Sequence, residues 1–226
     1  MIPPPNNPLI AAIDVSDIGR AEGLARSLQG RVGLLKAGLE LIWAHGPEAV
    51  RRLAVHGPVF VDAKLHDIPT TVERASANIA RLGVAMLNVH ALGGEAMVEA
   101  AVRGARRGSE EAGDPMPLVL AVTVLSSLDE SLASPASLAY EAKSAGADGA
   151  VVSGEDVRVV REVVGEEFCL VVPGIRPTGS NGHDHARILT PAEAIDAGAD
   201  YLVVGRLVTG ASDPAAAATA ILAEIR

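Results

Sequence analysis

Aromatic residues are nearly missing from this chain: one Trp, two Tyr and two Phe among 226 residues, 2% in all. A core without large rings must close from Ala, Val, Leu and Ile, in the thin, closely packed layers that helices form on a parallel sheet. Cysteine is almost absent as well. Cys169 alone excludes an internal disulfide, and its place in the apolar run "FCLVV" reads as core, not as a reactive thiol. No apolar run approaches the ~20 residues of a membrane-spanning helix. The opening "MIPPPNNP" lacks the basic and apolar regions of a signal peptide, so a cytoplasmic location is expected. Positive charge is in deficit, 19 Lys and Arg against 28 Asp and Glu, for a net charge of -9. That argues against a nucleic-acid surface, which needs clustered cations. A small anionic ligand needs only a local positive pocket.

What the chain does have is a rhythm. Eight short apolar runs recur: "LIAAI", "GLLKA", "PVFVDA", "AMLNVH", "LVLAVTV", "GAVVS", "CLVVP" and "YLVVG". Ala-rich segments with helical spacing lie between them, such as "DIGRAEGLARSLQ" and "EAMVEAAVRGARRG". Strands alternating with helices imply a parallel sheet. Eight such units in this length predict a (β/α)8 TIM barrel of the α/β class, a single domain over residues 1–226. An open doubly wound sheet would need a glycine fingerprint after its first strand, and "AAIDVSD" has none. The tetrapeptide "AGAD" at 145–148 and again at 197–200 marks equivalent helix-to-strand turns. The longest irregular stretches, 125–135 and 173–191, follow strands five and seven, on the face where barrel enzymes carry their sites.

Polar residues collect at the predicted strand ends. Asp14 ends the first strand, Lys36 lies near the end of the second, and Asp62 and Lys64 close the third. The fourth ends in Asn88 and His90, and the eighth in Gly205 and Arg206. Burying charge is costly unless the charges are paired. Side chains two apart on a strand share a face, so Asp62 and Lys64 point the same way, within reach of Lys36. The expectation is a row Lys36, Asp62, Lys64, Asp67 in which each charge neutralises the next. A structural ion-pair network would account for any one of these residues, but several at one rim read as a site. Asp62, Asp67, His66 and His90 are chemically suited to a divalent cation, yet a lysine between the acids repels one, so no metal is expected. "HDH" at His183–His185 reads as a solvated loop. Arg176, after a Gly-containing turn beyond strand seven, and Gly205–Arg206 beyond strand eight together suggest a phosphate grip.

"DAKLHDIPTTV", "NVHALGG", "LAVTVLSS", "VVPGIRPTGS" and "YLVVGRLVT" resemble the orotidine 5′-phosphate decarboxylases of the bacterial type, in matching order from Ile10 to about Asp213. The resemblance implies decarboxylation of orotidine 5′-monophosphate to UMP in pyrimidine synthesis, without a cofactor. It implies that Asp14 and Lys36 bind ribose hydroxyls, that Asp62 sits beside the substrate carboxylate and that Lys64 protonates C6. It places Asp67 and Thr71 in the partner subunit's site, so that a homodimer completes it. Ser126 would hydrogen-bond the pyrimidine, where the family often has Thr. Arg176 and Arg206, with the Gly205 backbone, would hold the phosphate. His185 stands where the family pattern has Gln, a departure that keeps a hydrogen-bond donor but adds a group that gains charge at low pH.

The chemistry such a reaction requires fits these residues. Loss of CO₂ from C6 leaves an electron pair in an sp² orbital that the ring π system does not absorb. The sequence shows no thiamine, pyridoxal or metal motif to serve as a sink. A fixed ammonium must stabilise the carbanion and then protonate it. Burial opposes a charged Lys64, and flanking carboxylates restore it. Three rivals differ in a testable way. A Mg²⁺-dependent sugar-phosphate decarboxylase or aldolase of the 3-keto-gulonate 6-phosphate type shares the Asp-x-Lys-x-x-Asp frame, but "DIPTT" and "PGIRP" point away from it. A Schiff-base aldolase needs a neutral lysine, against which two adjacent acids work. A binding module would have little use for the intact charge row.

Overall fold

Each of the eight apolar runs forms a strand. In the computed structural model, residues 7–124, 134–176 and 189–225 are described. The strands are β1 (Leu9–Ala12), β2 (Leu34–Ala37), β3 (Val59–Leu65), β4 (Met86–His90), β5 (Leu118–Val122), β6 (Gly149–Val151), β7 (Cys169–Pro173) and β8 (Tyr201–Val204). All neighbours pair in parallel, in sequence order, and β8 returns to β1 to close the barrel. The predicted (β/α)8 architecture is therefore the one observed.

The period-two pattern divides the core in two. Ile10, Ala12, Leu34, Phe60, Met86, Leu120, Cys169, Val171, Tyr201 and Val203 form a cluster drawn from strands alone, the barrel interior. Their alternates, among them Leu9, Ala11, Leu35, Val61, Leu87 and Val119, pack outward against the helices. Phe60 and Tyr201 are thus two of the five aromatic residues, spent on filling the barrel. Cys169 is buried in the same layer, where desolvation pushes its thiol well above the usual range and keeps it inert.

Helices α1 (Ile18–Leu28), α2 (Leu39–His45), α3 (Pro47–Ala54), α4 (Pro69–Ala80), α5 (Glu95–Ala112), α6 (Pro135–Ser144), α7 (Val157–Val164), α8 (Pro191–Asp196), α9 (Arg206–Thr209) and α10 (Pro214–Ala223) surround the sheet. Five of them open on proline, whose missing N–H is harmless in a first turn and whose φ suits a helix. α4 and α5 pack closely because Gly104 and Gly108 let the backbones touch. A Cβ at either would collide with the carbonyl of Glu73 or Ala77. Glu73 on α4 also accepts from Arg107 at 2.6 Å. This contact fixes the start of α4, which carries Thr71 and follows the Asp67 turn. No described helix is long and apolar enough to cross a membrane.

Candidate active site

The interior row of side chains runs upward through the barrel, and at its C-terminal end it changes from apolar to polar. Leu34 is followed on the same face by Lys36, Phe60 by Asp62 and Met86 by Asn88. Lys36, Asp62 and Asn88 are all buried, at 7%, 7% and 1% exposure. Alternation along three adjacent strands therefore puts an ammonium, a carboxylate and an amide into one layer, just above the apolar plug.

The charges pair in sequence. Lys36 Nζ lies 2.9 Å from Asp62 Oδ2 and 3.2 Å from Asp14 Oδ1. Lys64 Nζ donates to Asp62 Oδ1 at 2.5 Å. Burial works to neutralise Lys36, but Asp62 and then Asp14 outweigh it and hold its pKa above the ordinary lysine value. Burial likewise works to protonate Asp62, but Lys36 and then Lys64 outweigh it and hold the carboxyl below its usual range. The chain thus keeps charges in a place that would otherwise extinguish them.

Asp14 joins this row through a glycine. β1 ends at Ala12, one rung before the chain turns toward α1, so Asp14 lies just beyond the strand with its side chain half exposed. A Cβ at position 38 would collide with Asp14 Oδ1 and lie 3.1 Å from Lys36 Nζ, so Gly38 leaves the room in which that pair meets.

Lys64 reaches Asp62 by an irregular path. Plain alternation predicts that the two share a face, but β3 is not regular here. Its register with β4 runs Phe60↔Met86 and Val61↔Leu87, then shifts before Leu65↔Val89. Within this bulge Lys64 has φ 49°, the left-handed region that non-glycine residues seldom adopt. Such a conformation costs about 1–3 kcal/mol and persists only where the surroundings impose it, commonly at functional sites. Bulges also re-aim side chains, and this one turns Lys64 to the mouth, where its side chain is 30% exposed.

Asn88 and His90 complete the cluster. Asn88 Nδ2 donates to Asp62 Oδ1 at 2.7 Å, and Asn88 Oδ1 accepts from the Lys64 backbone N–H at 2.7 Å. The His90 ring lies 5.3 Å from that of His66. Burial, then His66 and Lys64, lower its pKa against the opposing pull of Asp62, so His90 is neutral near pH 7 and adds no second cation beside Lys64.

The other expected residues divide into three groups. Within its own chain Asp67 is not part of the row: it is exposed, and its carboxylate accepts from the Ile68 N–H at 2.7 Å. The row observed within one chain is Asp14, Lys36, Asp62, Lys64, with Asp14 at the Lys36 end and no residue of this chain at the Lys64 end among the described residues. Thr71 is likewise exposed, in the first turn of α4. Arg176 and Arg206 lie just beyond β7 and β8, which are neighbours in the barrel (Pro173↔Val203), and Gly205 caps α9. Ser126 and His185 fall outside the described residues. Sequence reasoning set Asn88 at the rim and gave it no role, and Gly38 escaped it. The available signal for Asn88 was its parity: a polar residue on the inward face of an otherwise apolar strand.

Fold and site together define a class: a TIM barrel with two lysines paired to one buried aspartate at the C-terminal mouth. The family model described as "Orotidine 5'-phosphate decarboxylase / HUMPS family" matches residues 7–221, and the chain belongs to that family. An orotidine 5'-phosphate decarboxylase of Anaeromyxobacter sp. (strain K) is 51% identical over 97% of this chain and 98% of its own. That of Moorella thermoacetica is 46% identical over 96% and 91%. The crystal structure of the orotidine 5'-phosphate decarboxylase from Lactobacillus acidophilus superposes with a TM-score of 0.84 at 34% identity, covering 98% of this chain and all of that one.

Proposed function

We propose that this protein decarboxylates orotidine 5′-monophosphate to UMP, with Lys64 as the group that stabilises the C6 carbanion and then protonates it. The observation that carries the reading is the Lys64 ammonium, 2.5 Å from a buried carboxylate and exposed to the mouth. The near-full-length likeness to decarboxylases named for this substrate supports it.

In this reading the substrate's phosphate rests on Arg176, Arg206 and the Gly205 backbone, beyond β7 and β8. Asp14 and Lys36 take the ribose hydroxyls. Ser126, for the pyrimidine, and His185, for the phosphate, are assigned by the family resemblance alone. The C6 carboxylate then stands next to Asp62. As the C6–CO₂ bond breaks, its electron pair stays on C6, facing the Lys64 ammonium. CO₂ departs, one proton passes from Nζ to C6, and solvent returns a proton to the amine. The fixed ammonium needs no reorganisation when charge develops, which is where most of the stabilisation arises. Remote phosphate contacts contribute binding energy that orients the ring. Both Asp62 oxygens already accept from cationic or amide donors, so the residue is committed to positioning lysines.

Asp67 and Thr71 enter the site of a second copy. Their exposure supports this, as do the apolar residues around them: Ile68 and Leu92 are 66% and 52% exposed on the same rim. A homodimer would cover them. The test is direct. Wild-type protein mixed with orotidine monophosphate should consume the orotate absorbance and release CO₂ in equal amount. Lys64→Ala and Asp67→Ala proteins, each inactive, should recover activity on subunit exchange, because one hybrid site carries both native residues. No CO₂ from wild type defeats the reaction, and no recovery after verified exchange defeats the shared site.

A further inference from the structure

The bulge that aims Lys64 is closed by one side chain. β4 keeps unbroken register with β5 from Met86↔Leu118 to His90↔Val122, so the excess length lies wholly in β3. Asp62, Ala63 and Lys64 together stand opposite the single residue Asn88. The Lys64 N–H, which a regular ladder would pair with a β4 carbonyl, is instead met by Asn88 Oδ1 at 2.7 Å. The other end of the same amide donates at 2.7 Å to Asp62 Oδ1, the oxygen that Lys64 Nζ also engages. The orientation of the amide follows from its partners, because a backbone N–H only donates and an ionised carboxylate only accepts.

We propose that Asn88 is a positioning residue for the reaction: by holding the Lys64 main chain and the Asp62 carboxylate at once, it fixes the direction of the Lys64 ammonium. It acts through Lys64 and touches neither the reacting carbon nor the phosphate. The inference rests on the decarboxylase reading above. No other side chain of this length does both tasks. An aspartate keeps the acceptor for Lys64 but sets a second anion against Asp62. A leucine fills the space and leaves a buried N–H without a partner. A glutamine is one methylene too long for the gap.

The experiment compares kcat and KM for orotidine monophosphate, UMP affinity and thermal midpoint in full-length wild type, Asn88→Ala and Asn88→Asp. A misdirected ammonium costs turnover and spares ligand binding. Asn88→Ala is therefore expected to lose about 100-fold in kcat while KM and UMP affinity stay within about threefold. Asn88→Asp keeps the shape of the side chain and loses at least as much kcat, and it carries the test if the alanine variant does not fold. Turnover within about threefold of wild type in a folded variant overturns the proposal. So does a kcat loss matched by an equal loss of UMP affinity, the pattern of general damage to the pocket. A wild-type protein that leaves orotidine monophosphate intact defeats the decarboxylase reading first and takes this inference with it. A wild type that turns over beside an unimpaired Asn88→Ala defeats the inference alone.

Discussion

Arg161 and Lys64 are both cations paired with an aspartate, at opposite ends of one barrel, and they are held in opposite ways. Arg161, on α7, is 8% exposed and lies where β7 and β8 begin. Its guanidinium donates to Asp200 Oδ2 at 2.7 Å and to the carbonyls of Gly198, Gly165 and Phe168. Asp200 in turn accepts from the Leu170 N–H at 2.7 Å. Every nitrogen of the fork is satisfied, and the partners are mostly main chain. Lys64 has three protons to donate and places one of them, on Asp62, among the described residues. Its backbone is strained and its side chain faces the mouth. A charge with all its hydrogen bonds made locks elements together. A charge left partly unspent, on a backbone forced out of its preferred region, is available to a ligand. That distinction separates the stabilising end of this barrel from the working end.

Removing each cation in turn should separate the two roles. Lys64→Ala should lower turnover by at least ~10⁴-fold, since both the carbanion's counter-charge and its proton are lost. UMP affinity and the thermal midpoint should change little. Steady-state kinetics with a UMP titration check this, and turnover within tenfold of wild type would erase the contrast. Arg161→Met should do the reverse. It strands Asp200 and several carbonyls, at a cost of about 3 kcal/mol in denaturant unfolding, with kcat per folded molecule unchanged. A kcat loss exceeding the folded fraction would show that the two ends are not separable.

The smallest effect is the pH dependence of the charge row. Asp62 has a lowered pKa when folded, so its contribution to stability is present above the unfolded value, about pH 4, and is lost as pH falls through the folded value. Lys36 has a raised pKa when folded, so its contribution is present below the unfolded value, about pH 10.4, and is lost as pH rises through the folded value. The row's contribution is therefore flat from about pH 4 to about pH 10. Thermal midpoints measured above that range should fall more steeply for wild type than for Lys36→Met, and parallel curves would contradict the assignment.

The barrel was legible because its signal is repeated and local. Each strand announces itself as an apolar run, and the prolines at 47, 69, 135, 191 and 214 mark where helices start. Lys36 and Asp62 were legible for the same reason: strand parity sends them inward behind Leu34 and Phe60. The bulge was not, because nothing in "VFVDAKL" distinguishes regular alternation from a strand with residues to spare. Asp62 and Lys64 do meet, but by a distorted route. Asp14 extends the row at its Lys36 end, in the room that Gly38 leaves, a contact between chain segments that no local pattern encodes. Asn88 stayed without a role because one of its partners is main chain, which carries no sequence signature.

If this charge row, built from the protein's own side chains, carries out the decarboxylation, no added metal ion is needed. The most direct measurement is CO₂ release from orotidine monophosphate by chelator-treated wild-type protein, with and without added Mg²⁺. The same full rate is expected in both. CO₂ that appears only when Mg²⁺ is restored, or no CO₂ at all, would contradict it.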